Sequence, residues 1–210
     1  MRTGSTIVAA LVFLGLAALL GGLVAGSSTQ ADEWWHAIVA DMRSPALVSF
    51  ALGLDLLGGG FIGVLIVPLG IAVTVLIVRG WRSALYAVTA FASSALLVQV
   101  MKSLFGRVRP EDLLVAADFG SFPSGHTANA ATIAIVLGIL FPRWTISLAT
   151  CAWALLMAFT RTLLAAHWLT DTLGGALLGI AAALLITVIM RAWIEHDRPA
   201  VRESVQPLRG

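Results

Sequence analysis

The chain has 210 residues, 59% of them hydrophobic and only 11% charged, with a formal net charge of +2. A soluble domain carries roughly 25% charged residues, so this composition excludes an ordinary soluble domain and points to a one-domain membrane protein. The single cysteine, Cys151, excludes an internal disulfide and is expected to be a buried small hydrophobe; no Cys/His spacing suggests zinc, and nothing in the charge pattern calls for nucleic acid.

A helix needs about 20 apolar residues to cross the hydrocarbon. The first such run is Ile7–Val24. Only Arg2 precedes it, and Ala25-Gly26-Ser27 would pass as a small-residue cleavage site. Its apolar core is longer than the roughly 7–15 residues of a signal peptide, which favours an uncleaved helix. Residues 27–57 follow. Trp34 and Trp35 look like interfacial anchors of a helix lying on the membrane surface, and Pro45–Leu57 is apolar but too short to span. Gly58-Gly59-Gly60 breaks that run. Further spans are expected at Gly59–Val78, Ala84–Met101, Thr127–Phe141, Thr145–Leu164 and Leu173–Met190. The Thr127 run is short in apolar count, and its polar front end suits a polar cavity. The expected fold is all-α: a polytopic bundle of six transmembrane helices over residues 1–193, with a polar cytoplasmic tail over 194–210.

With the N-terminus inside, the inner segments hold Arg2, Arg79, Arg82, Arg143, Arg191, Arg198, Arg202 and Arg209. The outer segments hold Arg43, Lys102, Arg107, Arg109 and Arg161. That excess obeys the positive-inside bias. All the outer cations except Arg43 flank the loops 102–126 and 161–171, on the side that disfavours them, so a task is expected there.

Three polar clusters share that end. Lys102-Ser-Leu-Phe-Gly-Arg107-Val-Arg109-Pro110 supplies cations, which could hold the oxygens of a phosphoryl group. Each cation alone reads better as a snorkelling or headgroup residue, and Arg107 is left so. Glu111, Asp112 and Asp118 read as loop acids with no metal-ligand spacing. In Phe122-Pro-Ser-Gly-His126-Thr-Ala-Asn129, Ser124 suits an N-cap and Gly125 lets a ligand approach. A helix start there offers free N–H donors and a positive dipole to an anion; a capped helix with an exposed histidine fits about as well. In Arg161-Thr-Leu-Leu-Ala-Ala-His167-Trp-Leu-Thr-Asp171, the last two polar residues are four apart and would share a helix face. A carboxylate beside one imidazole nitrogen fixes the tautomer and frees the other as nucleophile or base.

K-x6-R-P from Lys102, P-S-G-H from Pro123 and T-R-x5-H-x3-D from Thr160 resemble the three motifs of the type-2 phosphatidate phosphatase superfamily of lipid phosphatases. Thr160 stands where that family has serine. The resemblance implies an enzyme that needs no metal or cofactor. It implies that His167 attacks phosphorus, Asp171 orients it, and His126 protonates the leaving alkoxide and then activates water. It implies that Lys102, Arg109, Arg161, Ser124 and the Gly125 N–H bind the phosphoryl oxygens. The implied substrate is a lipid phosphate or diphosphate reached from the membrane at the extracytoplasmic face. Undecaprenyl or another polyprenyl diphosphate is the first choice, ahead of phosphatidylglycerophosphate and phosphatidate. A non-catalytic lipid-phosphate binding or transport protein is the rival class, and intact His126, His167 and Asp171 speak against it. The sequence assigns no oligomeric state.

Overall fold

The computed structural model describes residues 3–196. The chain forms α1 (Thr3–Val24), α2 (Gln30–Asp41) and α3 (Pro45–Gly58), then a π-helical turn over Ile62–Ile66 that runs into α4 (Val67–Arg79). After these come α5 (Trp81–Phe105), α6 (Gly125–Leu140), α7 (Trp144–Leu163), α8 (Leu169–Ile189) and α9 (Arg191–His196). α1, the π turn with α4, α5, α7 and α8 are long and apolar enough to cross a membrane. α6 has 16 residues, a length of about 24 Å. It packs between α7 and α8 and completes the six-helix bundle.

α8 is the central helix, with α1, α5 and α6 against it. Glycine spacing makes the closest of these contacts possible. A Cβ on Gly175 would lie 2.4 Å from the Ser124 carbonyl oxygen, and one on Gly179 would lie 2.2 Å from that of Ala128. α6 and α8 therefore meet backbone to backbone, as small residues permit in membranes. The Ser124 N–H also donates to the Asp171 carbonyl at 2.9 Å. The second and third polar clusters are thus locked together by helix packing.

α2 and α3 meet at a 117° bend and neither spans alone. Thr29 and Asp32 cap α2 reciprocally, and Ser44 caps α3 ahead of Pro45. The two tryptophans of α2 part company. Trp34 is exposed, while the Trp35 indole N–H donates to Thr162 Oγ1 at 2.9 Å and pins α2 over the end of α7.

Cys151 is exposed, not buried as expected. It shares the outward face of α7 with the exposed Leu148 and Leu155, one turn on either side. In a membrane protein an apolar run faces lipid as readily as core. The expected tail starts at 194, but residues 194–196 belong to a helix. Ile194 lies in α9 and is buried in the cluster of Val75, Tyr86 and Leu140; residues 197–210 lie outside the described part.

The cations separate to two ends of the bundle. Arg79 sits over the Phe141 ring, Trp81 meets Trp193, and Arg191 bonds Thr3 at one end. Lys102, Arg107, Arg109 and Arg161 gather at the other.

Candidate active site

Three chain segments build the site. α5 runs on past the expected Met101, so Lys102 falls in its last turn. Gly106 ends the helix in the left-handed region, with φ 53°, and its N–H bonds the Lys102 carbonyl. This turn sends Arg107 and Arg109 back across the bundle end. α6 begins at Gly125 with Ser124 as N-cap, as the sequence suggests. α7 carries Arg161 in its last turn, and the chain then reverses through Ala165 so that the Ala166 and His167 N–H groups bond the Arg161 carbonyl. His167 stands in this turn, before α8, rather than on the helix face with Asp171.

A cavity of about 860 Å³ opens there, and Lys102, Arg109, Gly125, His126, Arg161 and His167 all line it. The remaining two expected site residues stand behind its wall. Ser124 is fully buried, its hydroxyl accepting from Thr127 Oγ1 at 3.1 Å. Asp171 is fully buried behind His167.

The His167 ring is oriented differently from the expectation. Its Nδ1 lies 2.7 Å from the Ser121 carbonyl and 3.7 Å from Asp171 Oδ2. The second distance is too long for a hydrogen bond. A carbonyl only accepts, so Nδ1 carries the proton and Nε2 keeps a lone pair, 3.3 Å from Arg109 Nη1. Asp171 acts one step back. It accepts from the Ser121 hydroxyl, from the Trp168 N–H at 2.8 Å and from Arg107 Nη1 at 2.6 Å. It thereby fixes the segment whose carbonyl holds the ring. Burial pushes the His167 imidazolium down to about 4; the Asp171 carboxylate opposes this, and the Arg109 and Lys102 charges add to it. At neutral pH the ring is uncharged, the form a nucleophile needs.

Arg107 overturns its reading as a snorkelling cation. It is 2% exposed. Its Nη1 bonds Asp171 Oδ1 and Thr170 Oγ1, and its Nη2 bonds Asp32 Oδ2 at 2.7 Å and the Ser27 carbonyl at 3.1 Å. Asp32, from α2, is itself fully buried.

Two further carboxylates reach the cavity cations. The loop acid Asp118 accepts from Lys102 Nζ through both oxygens, at 2.7 and 2.8 Å, and from Arg109 Nη2 at 2.7 Å. Burial alone would raise its carboxyl, but the Lys102 contact, helped by Arg109, holds it below the usual carboxylate range. Asp55, on α3, bonds both Arg161 Nη1 and His126 Nε2. Sequence reasoning gave neither residue this place. A lone carboxylate inside an apolar run is costly without a partner, and that was the available signal for Asp55. Asp118 and Asp32 carried none, since loop and capping acids are common. Arg161 Nη2 and Nε have no hydrogen-bond partner among the described residues although the residue is buried, so that guanidinium keeps free donors.

Asp118 and a phosphoryl group would compete for the same donors. Asp118→Asn removes the competing charge, so inhibition by vanadate should tighten severalfold. Weaker inhibition in this variant would mean that Asp118 instead holds Lys102 and Arg109 in place for the anion.

The model of the PAP2 superfamily matches residues 83–195. The chain belongs to the PAP2 superfamily. Among curated proteins, lipid A 1-phosphatase of Rhizobium etli is 29% identical over 115 residues, 50% of this chain and 49% of that one. The chain thus spans about half the length of that relative. Phosphatidylglycerophosphatase B of Bacillus subtilis is 28% identical over 186 residues, 83% of this chain and 91% of that one. A crystal structure of the Bacillus subtilis transmembrane PAP2-type phosphatidylglycerolphosphate phosphatase shares the fold. Its TM-score is 0.75 at 24% identity, over 92% of this chain and 98% of that one.

Proposed function

We propose that this PAP2 protein is a lipid phosphatase that hydrolyses a phosphomonoester or diphosphate through a phosphohistidine, without a metal. The observation that carries this reading is a single cavity lined by the His167 lone pair, three cations and the start of α6, continuous with an apolar groove. The groove follows α5 from Lys102 to Phe91, a length of about 16 Å, beside Leu56, Phe61 and Ile62. That is half the depth of a hydrocarbon layer of about 30 Å, which suits a lipid tail.

In this mechanism His167 Nε2 attacks phosphorus and the bond to the lipid oxygen breaks. His126 gives that oxygen a proton. His126 then takes a proton from water, which attacks the phosphohistidine and releases inorganic phosphate. Lys102, Arg109, the free donors of Arg161 and the N–H groups at the start of α6 take the equatorial oxygens, where charge builds in phosphoryl transfer. Asp118 releases its two cations as the phosphoryl group enters.

Within the lipid phosphates, undecaprenyl diphosphate is the first substrate proposed. Phosphatidylglycerophosphate is the second, favoured by the near full-length match to the Bacillus subtilis enzyme. Phosphate release from purified lipid phosphates and diphosphates in detergent tests both. Turnover should survive EDTA and be inhibited by vanadate, which adopts the five-coordinate shape of the transferring group. Loss of activity in EDTA, restored by Mg²⁺, would overturn the cation-only electrostatics.

The proposed face is extracytoplasmic, supported by the sequence count of eight basic residues in the expected inner segments against five in the outer ones. Glu111→Cys in a Cys151→Ser background should react with an impermeant thiol reagent in intact cells. Labelling only after the membrane is broken would reverse the orientation.

A further inference from the structure

We propose that Asp55 is the positioning residue of the general acid: it holds the Nε2–H of His126 and leaves the Nδ1–H as the proton for the leaving lipid oxygen. This rests on His126 being the acid.

Asp55 lies outside all three motifs. It is the one charged residue of α3 (Pro45–Gly58). Its Oδ1 is 2.9 Å from His126 Nε2, and its own carbonyl oxygen is 3.2 Å from the same nitrogen. Arg161 Nη1, which only donates, also stands 3.2 Å from this nitrogen, but it bonds the carboxylate more closely, so the two acceptors decide and Nε2 carries hydrogen. The ring lies close against glycine backbone on one side. A Cβ on Gly59 would fall 2.1 Å from His126 Cε1 and 2.2 Å from Nε2, and one on Gly58 would fall 2.9 Å from Cδ2. The imidazole lies against a backbone that only glycine permits, with the carboxylate on one nitrogen.

The chemistry follows from that placement. A general acid must hold its proton until the alkoxide forms. A ring whose Nε2–H is held by a carboxylate is fixed in direction, and that bond decides which nitrogen faces the cavity. Nδ1 is then the only nitrogen free to give a proton. Asp55 and Gly59 line the cavity next to Leu56, Phe61 and Ile62, where the charged end meets the apolar groove and a lipid oxygen would depart. Arg161 Nη1 bonds the same Oδ1, so the acid is also tied to the phosphate-binding cation.

A purely structural ion pair would dock α3 on α6 and α7 and touch both substrates alike. The test separates the two roles. Asp55→Asn keeps the shape and an acceptor oxygen but loses the charge. Single-turnover cleavage of the lipid should fall about 10²-fold, the low end of what general acid catalysis contributes. The nitrophenolate burst from nitrophenyl phosphate, whose leaving group needs little protonation, should keep most of its rate, and vanadate inhibition should change less than threefold. On the lipid, Asp55→Asn in a His126→Ala background should add nothing further. Equal losses on both substrates with weakened vanadate would mean that Asp55 acts through Arg161, and full lipid activity or an additive double variant would equally overturn the proposal. Should Asp55→Asn unfold, Asp55→Glu keeps the charge and must retain more lipid than Asp55→Ala for the proposal to stand. If wild type forms no phosphoenzyme, or His167→Ala still gives a burst, the phosphohistidine reading itself fails and the role of Asp55 falls with it.

Discussion

His167→Ala should form no phosphoenzyme on any substrate, while His126→Ala should fail on a lipid and still release nitrophenolate in a burst. The two rings differ in what surrounds them. His167 is 5% exposed, its Nδ1–H is spent on the Ser121 carbonyl, and its neutral Nε2 faces Arg109 in the cavity. In the proposed mechanism it attacks, and no neighbour can replace the bond it would form to phosphorus. His126 is held by Asp55 and stands against Gly58 and Gly59, at the groove. Its proposed task is to protonate a poor leaving group, worth roughly 10²–10⁴ in rate where the leaving group needs it. A nitrophenolate carries its own charge, so the first step should survive without His126. The burst is the right readout, because in the proposed mechanism His126 also activates water and its loss would slow steady turnover. Equal loss of the burst in both folded variants would sink the assignment of nucleophile and acid.

The six bundle helices and the three polar clusters were legible because their signals are local. Ser124 caps α6, and apolar run length gave the spans to within a few residues. Lys102, Arg109 and Arg161 were legible as site cations only together, since each alone fits a headgroup contact. What escaped depends on contacts between distant segments. Arg107 differs from Arg109 by two positions in sequence, yet the Gly106 turn sends one inward to Asp32 and Asp171 and the other to the cavity. The spacing of His167 and Asp171 suggested a direct bond through a shared helix. The turn at Ala165 instead gives the ring to the Ser121 carbonyl. Asp55 joins the site because α3 folds back over α6 and α7, which no apolar pattern announces. Cys151 shows the same limit, because periodicity finds a helix face without saying whether protein or lipid covers it.

Arg107→Ala should be among the most damaging substitutions in the chain, and should act through stability as well as rate. Its guanidinium lies between two carboxylates that are both fully buried, Asp32 at 2.7 Å and Asp171 at 2.6 Å. Removing one partner of a buried ion pair leaves an uncompensated charge and costs about 3–5 kcal/mol. Here two carboxylates lose their cation at once. Asp171 keeps the Ser121 hydroxyl and the Trp168 N–H, so the remaining strain falls on the segment that orients His167. The phosphoenzyme burst and the lipid reaction should therefore fall together, with a lowered melting temperature in detergent. Arg109→Ala offers the contrast. It lines the cavity and should cost about 3–4 kcal/mol of transition-state stabilisation with little loss of stability. Arg107→Lys retains the charge but not the fork that reaches both acids, and should fall between wild type and alanine. Adding Asp32→Asn to Arg107→Ala removes one of the stranded charges, so it should return part of the lost stability. An Arg107→Ala protein that melts with wild type and works within threefold of it would restore the headgroup reading and deny that this buried pair supports the nucleophile.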